Sequence, residues 1–147
     1  MLADSDVRSD VALLAMRPSV PTAPAEPGTV GAFLHATLRP VLKLQNQLLL
    51  AIVADFVFDH HIPLAKASTT DQQRLLAELL ARNTKLRYTV VGLVSGVFSA
   101  EEYAFYRQHR SELNRRLLEL VQQRVLDQTA LVLAFANVSS ANQQFCP

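Results

Sequence analysis

Residues 100–136 read AEEYAFYRQHRSELNRRLLELVQQRVLDQTALVLAFA, a run with no glycine and no proline. Ser99 precedes it and Glu102 follows three positions on, an S-x-x-E pair suited to capping the first N–H groups of a helix. Tyr103, Tyr106, Leu113, Leu117, Leu120, Val121, Leu131 and Phe135 fall on one stripe at helical spacing. The pattern predicts one long C-terminal helix. Helix propensity is weakest at Asp127-Gln128-Thr129, yet no residue there forces a break. Unbroken, the helix would be about 55 Å long at about 1.5 Å per residue. A globule of this size is only about 35 Å across.

The end of the run, ALVLAFA at 130–136, is apolar on every side. A helix that is apolar all round is buried all round. If it overhangs its own domain, another chain must cover it, so the sequence predicts a homo-oligomer or a helical protein partner. Leu131, Leu133 and Phe135 are the expected interface residues. The alternative is that the helix folds back and this segment joins the domain's own core.

Upstream, Leu86–Phe98 (LRYTVVGLVSGVF) mixes strand-favouring residues with two glycines. Nothing else in the chain reads as β, and a lone strand has no partner, so this segment is expected to be helical. Gly92 and Gly96 then share a face that lets another backbone come close, a second expected interface. Thr70 and Gln73 form a T-x-x-Q box that predicts a helix from Asp71 to Ala81. Val41–His60 reads as a strong helix closed by His60, His61 and Pro63, and a short helix precedes it over Val30–Leu38. Pro40 sits where a first-turn proline is tolerated.

Pro18, Pro21, Pro24, Pro27 and Gly28 crowd the stretch before these helices. Proline at that density predicts an extended or disordered arm over residues 1–28, in which VALLAM at 11–16 could dock as one helical turn or two. The expected architecture is therefore all-α, a bundle of four to five helices over residues 29–137, with a flexible tail over 138–147.

The net charge is +1 and the charged fraction 18%, below the roughly 25% of an average chain. No basic stripe forms, so nucleic-acid binding is not predicted. Amides such as Gln45, Asn46, Gln47, Gln72, Gln73, Gln122 and Gln123 are expected to replace charge on the surface. No run is long and apolar enough to suggest a membrane span, and no signal peptide is read at the start. The single cysteine, Cys146, excludes a disulfide within the chain and fits a reducing, cytoplasmic setting.

Two arginines, Arg110 and Arg124, lie within the apolar stripe of the long run. A charge there costs several kcal/mol unless it is paired. Asp55 and Asp59 on the helix Val41–His60 are the expected ion-pair partners; the alternative is that both arginines reach solvent along the stripe edge. Without a carboxylate partner, either arginine is suited to an anionic ligand, with Tyr103 and Tyr106 supplying stacking and a hydroxyl. His109 and Glu112 have a spacing that can place two ligands on one metal ion, but they fall on a polar face where Glu112 and Arg116 suit an i,i+4 pair. No nucleophile motif, phosphate-binding loop or zinc pattern occurs, so no catalytic residue and no cofactor is predicted. The expected role is a non-enzymatic interaction or scaffold module. A helical regulator that binds an anionic small molecule is the alternative, and a metal-dependent enzyme comes third.

Overall fold

The computed structural model of the chain describes residues 8–21 and 24–144, with side chains through Val138. Cys146 lies outside the described residues. Among these residues every regular element is helical. In chain order they are α1 (Asp10–Ala15), α2 (Val30–Phe33), a π-helical turn (Leu34–Leu38), α3 (Arg39–Leu44), α4 (Asn46–Asp59) and α5 (Thr69–Arg82). There follow α6 (Thr84–Ser95), α7 (Ala100–Gln108), α8 (Arg110–Asp127) and α9 (Thr129–Gln144). The all-α class read from the sequence holds, and Leu86–Phe98 is helical through Ser95.

The run from Ala100 is not one helix. It breaks at His109 and again at Gln128, where φ/ψ move to −121°/30° and −124°/32°. Each break re-phases the stripe. Leu113, Leu117, Val121 and Val125 are buried on α8, whereas on α9 Val132 takes the buried position and Leu131 is half exposed. α9 lies along α4, so the domain's own core covers Val132 and Ala136 and partly covers Leu133 and Phe135. The overhang that called for another chain is therefore absent. α9 also continues to Gln144, past the expected start of a tail at residue 138.

The expected helix Val41–His60 is broken as well, at Gln45, with 66° between Val30–Leu44 and Asn46–Asp59. The two breaks meet. Asn46 Nδ2 donates to Gln128 Oε1, and Gln128 Nε2 donates back to Asn46 Oδ1, both at 2.9 Å. At Gln128 the backbone N–H turns to Val125 O, which frees the carbonyl of Arg124. The Gln128 side chain fills that vacancy, donating to Arg124 O at 3.1 Å. Gln45 Nε2 donates to Leu93 O on α6 at 3.2 Å. Gln45 and Asn46, expected as surface amides, are half-buried fasteners of helix ends.

A third irregularity traces to Pro40. Proline has no N–H to give to the carbonyl of Ala36, and its ring crowds that carbonyl. The preceding turn widens, and the Arg39 N–H bonds to Leu34 O, five residues back. The proline is thus tolerated inside a continuous α2–α3 rod rather than at a fresh helix start.

The core gathers where α4, α6 and α8 meet, with α5 along α8 and the π turn against α8. Phe98, Leu38, Leu42, Leu49, Leu50, Leu86, Leu113 and Leu117 are fully enclosed. No single helix among the described residues is long and apolar enough to cross a membrane. α5 starts earlier than predicted, because Ser68 rather than Thr70 caps it by accepting from Asp71 N–H. Gly92 and Gly96 are exposed, and a Cβ added at Gly92 would meet nothing within 4 Å. Among the described residues no helix packs on Gly92.

Residues 8–21 depart from the expected disordered arm. Ser9 caps α1, and the segment is fastened to the turn between α6 and α7 by its charges. Proline content predicted the absence of long helices correctly, but it carries no information about such anchors.

The amide pair makes a quantitative prediction. Asn46→Ala and Gln128→Ala should each destabilise the protein by about 1–3 kcal/mol, since each strands a half-buried partner. The double variant should lose clearly less than the sum, as measured by urea denaturation. Strict additivity would show that the pair does not join the two breaks.

Candidate functional site

The re-phased helices bring Arg39 and Arg124 together. Arg39 sits at the exit of the π turn and Arg124 in the last turn of α8. Both line an open cavity of about 420 Å³. Gln123 and Gln128 supply amides to its wall, Val20, Leu42 and Leu120 supply apolar surface, and Asp127 supplies a carboxylate.

Neither arginine has a carboxylate partner among the described residues. Arg124 Nη1 donates to Asn46 Oδ1 at 3.2 Å, which uses the same amide that locks the helix breaks. Arg39 Nε is buried with no partner. Burial holds the Arg124 pKa below its usual value, and the positive charge of Arg39 lowers it further. Both effects disfavour the charged form, and a bound anion would relieve both. Guanidinium forks match the paired oxygens of carboxylate and phosphate.

A second cavity, about 280 Å³, also contains two arginines, Arg82 and Arg87. There Arg87 already donates to Ala81 O at 2.9 Å, and both side chains are exposed. Charge in water needs no ligand, so that cavity lacks the unbalanced charge of the first.

Of the four residues expected to bind a ligand, Arg110, Tyr103 and Tyr106 come together, as expected for one of the two arginines, and Arg124 stands apart from them. Arg124 belongs to the Arg39 cavity. Arg110 lies over the Tyr106 ring at 5.8 Å and reaches Tyr103 OH at 3.5 Å, on an exposed face. Tyr106 is a core residue, edge-on to Phe98 and bonded through its hydroxyl to Asn114. The expected ion pairs do not form. Among the described residues no salt bridge joins Asp55 or Asp59 to Arg110 or Arg124; Arg124 meets Asn46, at the opposite end of α4 from Asp59. His109 marks the first break and stacks on Phe105 at 4.5 Å, while Glu112 is exposed. On that face the i,i+4 pair is Arg115–Glu119 rather than Glu112–Arg116. Among the described residues no three His, Cys, Asp or Glu side chains converge. Arg39, Gln128 and Val20 escaped the sequence reading; the only signal for Arg39 was its position beside Pro40.

Val20 belongs to the N-terminal segment, whose anchor is Glu102. Arg17 pairs with both oxygens of Glu102, the Nη2–Oε1 contact being 2.6 Å. Thr37 Oγ1 and the Ser99 N–H each donate to the same carboxylate at 2.8 Å, and Ser99 Oγ accepts from Glu102 N–H at 3.2 Å. The capping box predicted from sequence is complete. The Arg17 and Glu102 side chains are only 7% and 15% exposed. Burial alone would raise the Glu102 pKa. The bonds from Arg17, Ser99 and Thr37, with the charge of Arg17, outweigh burial and hold it below the usual carboxylate value.

A depressed carboxylate pKa stabilises the fold above the unfolded-state value, and that contribution is lost as pH falls through the folded-state value. Wild-type stability should therefore drop between neutral pH and pH values below the usual carboxylate range more steeply than that of Glu102→Gln. Urea midpoints across that range check this, and parallel curves would contradict it.

No family model matches the chain, and searches of the curated proteins and of the solved structures return no match either.

Proposed function

We propose that this chain is a helical binding module for a small anionic ligand, seated between Arg39 and Arg124. One observation carries the reading: two guanidinium groups, one with a buried unpartnered Nε, line one cavity without a carboxylate partner. A like-charged, part-buried pair costs stability, and that cost is rational where a ligand offsets it. Asp127 also lines the cavity but makes no ion pair with either arginine. The apolar wall of Val20, Leu42 and Leu120 favours an anion carried on a short apolar body. The lining holds no Ser, Thr, Cys, His or Lys, which favours binding over chemical conversion.

Calorimetry with phenyl phosphate, inorganic phosphate and phenol tests this. Phenyl phosphate should bind and raise the melting temperature, and phenol should do neither. Arg39→Gln and Arg124→Gln should each weaken phenyl phosphate by about tenfold or more, the scale of one lost charged hydrogen bond. Arg124→Gln should fold at least as stably as wild type. Unchanged affinity in both variants, or equal binding of phenol, overturns the reading.

A second reading is association of two copies through the outer face of α9. Ala130, Leu131, Ala134 and Val138 are exposed there, no charged residue follows Asp127, and Leu48 on α4 is exposed as well. Contiguous uncharged apolar surface of this kind favours contact with protein. Light scattering should then give a dimer for wild type and a monomer for Leu131→Lys. A wild-type monomer at micromolar concentration rejects it.

A further inference from the structure

The N-terminal segment touches two places at once. At one end it is held by charges. Arg8 donates to Gly96 O and Phe98 O, both at 2.7 Å, and Arg17 donates to Val97 O at 2.8 Å. The Asp10 carboxylate accepts from Ala100 N–H, the first amide of α7, at 3.1 and 3.2 Å. Cationic groups thus meet the carbonyl end of α6 and an anionic group meets the amide end of α7, as the two helix dipoles favour. At the other end, Ser19 O accepts from Lys43 Nζ at 3.2 Å and Val20 forms part of the cavity wall.

What does not hold the segment matters equally. α1 contributes no buried residue, and Val11 is 79% exposed, with Leu14 and Met16 also in solvent. A segment fixed by polar contacts and not by core packing sits at the low end of local stability. Pro18 lies between the Arg17 anchor and Val20, with Pro21 just beyond. Fixed φ angles make this stretch stiff, so the position of Arg17 sets that of Val20.

We propose that the N-terminal segment is a detachable wall of the Arg39/Arg124 cavity, locked through Glu102, so that ligand binding and segment docking are a single coupled equilibrium. This rests on the anion-binding reading above. A ligand whose apolar body lies against Val20 binds the docked form better than the released form. By reciprocity it then tightens the docking of the segment. Glu102 is a positioning residue here, acting on the ligand through Arg17 and Val20 without touching it.

Two measurements test the coupling. In the wild-type protein, saturating phenyl phosphate should slow hydrogen exchange of the amides in residues 9–17, which lie outside the cavity. Glu102→Gln keeps the shape of the anchor and removes its charge. It should weaken phenyl phosphate by about tenfold, within the usual range of such couplings. Inorganic phosphate, which has no apolar body to lie against Val20, should lose little. No change in exchange, or equal phenyl phosphate affinity in wild type and Glu102→Gln, overturns the coupling and leaves the anion site standing. Equal loss for both phosphates marks general damage to the site and also overturns it. If wild type binds neither phosphate, the anion site falls and the coupling with it. The exchange measurement needs no variant, so a Glu102→Gln protein that fails to fold leaves the proposal open to refutation.

Discussion

Two side-chain amides decide the shape of this protein. Asn46 and Gln128 bond to each other in both directions, each at the start of a helix that follows a break. An interrupted helix in a bundle strands carbonyls and N–H groups, and a stranded polar group away from water costs a kilocalorie or more (about 1–3 kcal/mol). Here one glutamine side chain takes over the bond its own backbone abandons, donating to Arg124 O. Because that break is satisfied, α9 lies along α4 and the apolar ALVLAFA segment contributes Val132 and Ala136 to the core. An unbroken helix would leave the segment beyond the edge of the domain.

The two buried treatments of arginine in this fold make an instructive contrast. Arg17 is nearly enclosed, and Glu102 meets it with both oxygens while Thr37 and Ser99 satisfy the carboxylate from other sides. The carboxylate is met on every side, although Arg17 Nε, like Arg39 Nε, is buried without a partner. Arg124 is offered one amide oxygen and a positive neighbour. What separates the two is the counter-ion: Arg17 has a carboxylate, Arg124 has none among the described residues, and Arg124 lies beside a cavity.

Sequence pattern gave access to what local physics determines. The Ser99–Glu102 box is a short-range geometry, and it forms as read. Leu86–Ser95 forms a helix, and among the described residues no strand exists to pair with it, an argument that survives Thr, Val and glycine content. The breaks at Gln45 and Gln128 were not legible in the same way. No proline or glycine marks them, and each is stabilised by a residue far away in sequence. Asp127-Gln128-Thr129 was visible as a weak point, but weakness does not break a helix until tertiary contacts reward the break. The pairing of Arg124 with Asp59 failed because a wheel gives the face of a helix and not the level at which its neighbour meets it: Arg124 meets Asn46, at the other end of α4 from Asp59. Arg39 was hidden by the π turn that Pro40 imposes upstream. The anchors of the N-terminal segment were hidden because composition counts prolines and ignores where Arg8, Asp10 and Arg17 can reach.

These irregularities are concentrated where the cavity lies. A bundle built from ideal helices keeps its backbone bonds internal and its polar side chains outside, which leaves no polar group facing the core. Here Pro40 widens one turn, Gln45 ends one helix and Gln128 ends another. Each departure moves a polar side chain inward: Arg39 at the first, Asn46 at the second, Gln128 and with it Arg124 at the third. The cavity is therefore a consequence of how the chain turns, and its chemistry is set by the same residues that make the turns possible. A regular helix through Gln128 would carry ALVLAFA off α4, and the same Gln128 donates to the Asn46 oxygen that Arg124 also meets, so the folding problem and the candidate binding site share one amide.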